Sequence, residues 1–453
     1  MPTKLRDTPL NKSTLFYYGL ADLPIMLTII PMAIWLSRFY TGDVGLSLTA
    51  VANILLFARL FDVITDPIVG YLSDRTHTPW GRRKPWILAS VPFLMLGIYR
   101  VFLPPAGADV WYLFWWMMVL WLGWTMLMIP YYAWAAELSD DYNERTRITG
   151  WRALMGSVGG IAAQLIPFIA LVVFSFGGTA NVMQLLGTCL LVLVPLCIGL
   201  TLWRVPEVPS ERGSQVALWA GLRLMWNNAP FKRLVFGFVL SSTGLAIVMP
   251  LYIFYVEFIV VESPANVPYL VIISSIAGFL AIPCWVWLSK RISKHRAWIS
   301  GLLMLATFSP VYLLLGPGDF WVMMPFIFLM GFATGSFQAL PNSMKADVID
   351  LDTVQSGENR AAFFFSAWSL VMKMASSLGG WIALQSLALF GFDAANGAQN
   401  TPEALMGLQL TIGVLPASLF VLAAIVMWGY PITKERQQHI RAQIDQRMAS
   451  QAP

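Results

Sequence analysis

The sequence predicts an all-α membrane protein with twelve transmembrane helices in two six-helix bundles, and three observations predict it. The 453 residues are 57% hydrophobic and 12% charged, with a mean hydropathy of +0.66. Soluble globular chains are roughly 45–50% apolar and about 25% charged. Apolar runs that reach the roughly 20 residues needed to cross a bilayer recur along the whole length. The lysines and arginines between those runs concentrate in every second connection, as membrane insertion demands.

Taken in order, the first half holds apolar runs at 15–35, 46–72, 86–103, 110–134, 152–176 and 182–203. The second half holds runs at 234–258, 267–289, 297–315, 320–340, 361–390 and 405–428. Residues 204–230, with Pro206, Pro209, Glu211 and Arg212, form the most polar long stretch and read as a linker. The chain is therefore expected to divide into a bundle at 1–203, a cytoplasmic linker at 204–230, a bundle at 231–430 and a cytoplasmic tail at 431–453. The segment up to Ser13 is polar, and the run after it is too long for a signal-peptide core, so it reads as a retained first helix.

One set of connections carries Arg75, Arg82, Arg83, Lys84, Arg145, Arg147, Arg204, Arg212, Lys290, Arg291, Lys294, Arg296 and Lys345, whereas the alternate set has little beyond Arg38 and Arg100. Both termini are thus expected to be cytoplasmic. The same scatter argues against nucleic acid as a partner despite a pI near 9.1, because the basic residues form no single patch. Cys189, Cys197 and Cys284 sit in apolar runs without metal or redox spacing, and His77, His295 and His439 are far apart in sequence. No catalytic or metal constellation is visible, so an enzyme is not expected.

The halves repeat. Leu72-Ser73-Asp74-Arg75 and the following Arg82-Arg83-Lys84-Pro85-Trp86-Ile87 match Leu288-Ser289-Lys290-Arg291 and Lys294-His295-Arg296-Ala297-Trp298-Ile299, with Ser73 and Ser289 separated by 216 positions. Ile129-Pro130 with Glu144-Arg145 match Leu340-Pro341 with Glu358-Asn359-Arg360, the two prolines 211 apart. Paired bundles flanking a midplane site are a common build for secondary transporters.

Ionisable groups at bilayer depth are costly, about 2.5–3.5 kcal/mol on insertion scales, and usually serve a function. The second run contains Arg59, Asp62, Thr65 and Asp66 before Pro67. Asp62 and Asp66, four apart, share one helical face with Arg59 a turn earlier. Two carboxylates against one guanidinium leave an acid unmatched, which suits a bound cation, with Thr65 as a neighbouring oxygen; a structural ion pair of Arg59 with one aspartate is the alternative. Lys373 lies mid-run, as a cavity group or a buried pair. Arg152, at the start of the fifth run, reads equally as an interfacial arginine, and Asp22 as a ligand or a packing group. Glu257 reads as interfacial. Most of the 20 tryptophans read as aromatic belts, with Trp124, Tyr131 and Tyr132 the better cavity candidates.

The stretch Phe61-Asp62-Val63-Ile64-Thr65-Asp66-Pro67, running into Asp74-Arg75 and Trp80-Gly81-Arg82-Arg83-Lys84-Pro85-Trp86, resembles the glycoside–pentoside–hexuronide:cation symporters, the melibiose permease group of the major facilitator superfamily. The resemblance extends over nearly the whole chain and includes Tyr18-Gly19, Ile129-Pro130-Tyr131 and Lys373. It implies a cation site made by Asp62, Thr65, Asp66 and Thr125, for sodium or a proton, with Lys373 nearby. It also implies a substrate cavity lined by Arg152. Met26 and Met128 stand where characterised galactoside carriers have carboxylates, and Tyr132 stands where they have a stacking tryptophan.

The expectation is therefore a symporter of the inner membrane that imports a glycoside, uronide or related small solute. It would be a monomer whose partners are that solute, the coupling cation and the bilayer, with no cofactor. The alternative is a carrier of the same fold for an amphipathic, lipid-like solute. The substrate candidates are Asp22, Met26, Met128, Tyr132, Arg152 and Lys373. Arg152, as the main polar group left in the matched cavity, suggests an acidic solute. Arg59, Asp74, Arg75, Arg82 and Arg83 are the candidates for gating, and the loop residues among them are expected to make charge contacts between the bundles.

Overall fold

The computed structural model describes residues 9–433 apart from 140, 175–176, 208–227, 357–360 and 396, together with 436–440 and 443. Its packing separates two compact units. The first is Met1–Ser214 with Pro264–Pro268 and Asp393–Gln399; the second is Gln215–Ser263, Tyr269–Phe392 and Asn400–Pro453. Most of the expected linker and tail, and the Glu358–Arg360 end of the repeat, lie outside the described residues.

In the first unit α1 is Lys12–Gly19, α2 Asp22–Ile34, α3 Leu48–Arg75, α4 Lys84–Phe102, α5 Val110–Leu138, α6 Tyr142–Phe168 and α7 Thr179–Arg204. The predicted first span is thus two helices with a break at Leu20-Ala21. The starts follow local chemistry, because orphan N–H groups at a helix start need acceptors. Ser47, Asp109 and Asp141 cap α3, α5 and α6, accepting from Ala50, Tyr112 and Glu144 at 3.2, 2.7 and 2.8 Å. The Asp141 cap also corrects the expected start of the fifth span. Arg152 lies well inside α6 rather than at its head, because the polar segment before it is helical too.

Backbone proximity then sets the site. A Cβ at Gly159 of α6 would fall 2.2 Å from the Leu23 carbonyl of α2. Only a residue without a side chain admits that crossing, and it brings Asp22 to Arg152.

In the second unit α8 is Ala229–Phe258, α9 Val267–Ile292, α10 Lys294–Phe308, α11 Phe320–Ser356, α12 Ala361–Leu389, α13 Pro402–Gln409 and α14 Leu415–Trp428. A π-helical turn at Leu410–Val414 joins α13 to α14 in one span. Among the described residues ten helical segments are long and apolar enough to cross a membrane. The shorter α10, extended by a 3-10 turn at Ser309–Leu313, and α12 are the helices found where hydropathy reads the two further spans. At 37 residues, α11 is about 55 Å long at 1.5 Å per residue. It therefore runs well past the bilayer core, beyond the 320–340 expected.

Candidate functional site

The first cluster joins α3 to α5. Asp62 is fully buried. Thr125 Oγ1 donates to its Oδ1 at 2.7 Å, and the Thr65 and Thr125 hydroxyls are 3.2 Å apart. The Thr65 hydroxyl also lies 3.3 Å from the Asp62 carbonyl, one turn back on its own helix. Asp66 follows one turn after Asp62, half-buried. Three of the four expected cation ligands are thus in mutual hydrogen-bonding range, and the fourth lies next along the same helix.

Arg59 Nη1 stands 3.9 Å from Asp62 Oδ2, and its guanidinium stacks on Trp121 at 3.6 Å from the ring centroid. At that separation Coulomb attraction is about 4 kcal/mol for an effective dielectric near 20. Burying an ion in a protein costs several kcal/mol. Arg59 and the Thr125 hydrogen bond, about 1.5–3 kcal/mol to a charged acceptor, therefore offset part of the cost of burying Asp62. Trp121, one helical turn before Thr125, is a partner that sequence reasoning passed over.

The second cluster joins α2, α5 and α6. Arg152 donates to Asp22 through both Nε (2.8 Å) and Nη2 (3.2 Å). The Tyr131 hydroxyl lies 2.7 Å from Asp22 Oδ2 and 2.7 Å from the Tyr18 carbonyl. Tyr18 donates back to the Tyr131 carbonyl at 2.5 Å, and the two rings stack at 4.7 Å. The guanidinium of Arg152 also lies 4.2 Å from the centroid of Tyr132, which is 42% exposed. Three expectations are corrected here. Asp22 is the counter-ion of Arg152, so Arg152 is no unmatched cation and the argument for an acidic solute loses its basis. Tyr131 and Trp124 are buried in the core rather than lining a cavity. Tyr132 is the exposed ring of the three. Met26 and Met128 are half-buried, with Met26 packed against α6 at Gly156.

The third cluster lies in the loop between α3 and α4. Arg83 pairs with Asp74 at 2.6 Å and Glu137 at 2.6 Å, and donates to the Ser73 hydroxyl at 3.0 Å. Arg82 reaches the same Glu137 oxygen at 2.7 Å. Burial disfavours the Arg83 charge, but the hydrogen bonds and charges of Glu137 and Asp74 outweigh it and raise its pKa further. Arg75 stacks on Tyr71 instead, 4.0 Å from its centroid. Within the first unit Asp74 pairs with Arg83, the Arg82 and Arg83 side chains meet Glu137, and their backbone N–H groups donate to Glu207. Neither glutamate was anticipated. Glu137 could have been, as a carboxylate just past an apolar run facing a basic loop. Lys373 belongs to α12 of the second unit, half-buried, its carbonyl accepting from Ser377 at 2.7 Å. Among the described residues no group of three or more His, Cys, Asp or Glu could hold a resident metal.

Residues 17–434 match the profile of the MFS/sugar transport protein family. The chain belongs to that family. It is a multi-pass membrane transporter, not an enzyme. Similar proteins include the glucuronide carrier protein homolog of Escherichia coli (strain K12), 24% identical over 97% of this chain and 96% of that one. The putative glycoside/cation symporter YagG of the same organism is 26% identical, covering 96% and 95%. The sodium-dependent lysophosphatidylcholine symporter 1-B of Danio rerio is 25% identical, covering 93% and 87%. Among solved structures, the nucleoside transporter NupG shares the fold with a TM-score of 0.67, at 15% identity over 93% of this chain and all of that one.

Proposed function

We propose that this chain is a cation-coupled symporter that imports a glycoside, uronide or related small solute by alternating access. The observation that carries this reading is the buried Asp62 held by the Thr125 hydroxyl, with Thr65 in the same chain of oxygens and Asp66 a turn away. Hard cations prefer oxygen ligands, and a carboxylate at bilayer depth pays its way only when an ion or proton neutralises it. The relatives named as glycoside or glucuronide carriers support the solute class, and those named as sodium-dependent support sodium over a proton. On the substrate side the Asp22–Arg152 pair presents donors and acceptors together beside the exposed Tyr132 ring, a surface suited to a sugar with hydroxyls of both senses. Lys373, Met26 and Met128 complete the candidate lining. The protein acts as a monomer in the inner membrane with both termini cytoplasmic and needs no cofactor.

A second reading, an amphipathic solute, is favoured by one feature. The two methionines at the expected sugar clamp offer soft apolar surface, and the lysophosphatidylcholine symporters are among the relatives. Uptake into cells expressing the protein decides between them. A radiolabelled methyl β-D-glucuronide should accumulate with sodium and not with choline, and Asp62→Asn should remove the accumulation. Sodium-dependent uptake of lysophosphatidylcholine with none of the glucuronide would replace the first reading with the second. A reporter fused near Asp109 should read outside and one after Arg83 inside; the reverse would overturn the orientation.

A further inference from the structure

Glu207 stands three residues after the end of α7, at the head of the segment that leads to the second half. Its carboxylate receives three consecutive backbone N–H groups at the start of α4. Oε1 accepts from Arg82 and Arg83, both at 2.6 Å, and Oε2 accepts from Lys84 at 3.1 Å. The residue before them, Gly81, has φ +99°, and a Cβ there would fall 2.1 Å from the Glu207 carboxyl carbon. The left-handed glycine both turns the loop and leaves room for the acid. Otherwise the loop and the end of α7 are parted by a cleft of about 1240 Å³, lined by Trp80, Leu88, Leu202 and Trp203. Apolar packing does not close that gap, so a single carboxylate bridges it. The negative charge also suits the positive end of α4.

We infer that Glu207 is a positioning residue for transport, a latch that ties the start of the linker to the loop bearing the Arg83–Asp74–Glu137 cluster. Two of its three donors are the backbone groups of Arg82 and Arg83, whose side chains hold Glu137. A displacement of Glu207 is therefore passed to that cluster through these hydrogen bonds. Among the described residues the corresponding start in the second unit shows no such tie. Ser293, with φ +90°, precedes α10 without a side-chain cap. The inference rests on the chain being a transporter and not on which solute it carries.

Two solute-free measurements on the full chain in lipid nanodiscs test it. In hydrogen exchange, Glu207→Ala should speed the amides of Arg82, Arg83 and Lys84 at least about tenfold, a 1.4 kcal/mol loss of protection, and leave α10 unchanged. In a chain with its three cysteines replaced by serine, Ser73→Cys should be shielded from N-ethylmaleimide under Arg83, and adding Glu207→Ala should expose it. Glu207→Asp, which keeps the charge, should restore part of the shielding, and Glu207→Gln less. Gly81→Ala should mimic the loss alone and add little to Glu207→Ala. If the glucuronide is carried, its maximal uptake rate should fall at least about fivefold with half-saturation unchanged, roughly 1 kcal/mol. Unchanged exchange and unchanged labelling at Ser73→Cys would overturn the latch, whatever the solute. Altered exchange with labelling and uptake as in the wild type would reduce it to a helix cap.

Discussion

The two units share a scaffold and differ in chemistry. In each, a tyrosine hydroxyl near the end of the first span donates to a carbonyl near the end of the third: Tyr40, in the π-helical turn Phe39–Asp43 that follows α2, to Val101 of α4, and Tyr255 of α8 to Tyr312 in the turn after α10, both at 2.8 Å. In each as well, a basic residue at the loop–helix junction meets a carboxylate on the fourth: Arg83 with Glu137 at 2.6 Å, and Lys294 with Asp347 at 2.6 Å. Both junctions turn through a left-handed residue, Gly81 and Ser293. Yet α3 carries Arg59, Asp62 and Asp66 in its middle, whereas its counterpart α9 has charges only at Lys290 and Arg291 in its last turn. The repeat keeps the devices that hold helices together, while of these two counterpart helices only α3 carries charge in its middle.

The largest effect should come from breaking what the second unit lacks. Asp62→Asn should lower sodium-dependent accumulation on the order of 100-fold, about 2.8 kcal/mol, while Ser274→Asn on α9, a neutral change in the uncharged copy, should leave coupling intact in the same uptake assay. Coupling that survives Asp62→Asn would erase the distinction between the units.

Next is the buried pair. Asp22→Asn should destabilise the protein by about 3 kcal/mol, because removing one partner strands a charge. Arg152→Gln in the same background should recover part of the loss in thermal unfolding. A double variant as unstable as the sum of the singles would mean that the two residues act apart.

Smaller still is the contrast between the junctions. Arg83 is buried and meets two carboxylates, whereas the Lys294 side chain is about one-third exposed. Arg83→Gln should therefore cost about 2 kcal/mol more than Lys294→Gln, the former a buried pair and the latter in the range of about 0–1 kcal/mol for exposed ones. Equal losses in thermal unfolding would make the two clamps equivalent. The least effect belongs to the shared pins. Tyr40→Phe and Tyr255→Phe should each lose about 1 kcal/mol, alike within error, and a large inequality would show that the scaffold is less symmetric than the hydrogen bonds suggest.

What the sequence determined by itself was the set of properties written in local pattern. Hydropathy placed the twelve spans, because a bilayer imposes one length on every crossing. Misfits arose where the first span breaks at Leu20-Ala21 and where helix continues through polar residues, as at the head of α6 and the foot of α11, since water satisfies a helix surface as readily as lipid does. The Asp62–Asp66 spacing was legible because helical periodicity alone puts both on one face. Thr125 came from family resemblance, and the structure puts it 2.7 Å from Asp62. Tertiary structure alone decided the partners. Whether Arg152 stands free or neutralised depends on a backbone crossing at Gly159 that no periodicity encodes. Glu137 and Glu207 reach Arg83 and its neighbours from 54 and 124 positions away. Charge is a property of one residue, but the field it meets is set by whichever helices pack beside it, and that is fixed only when the chain has folded.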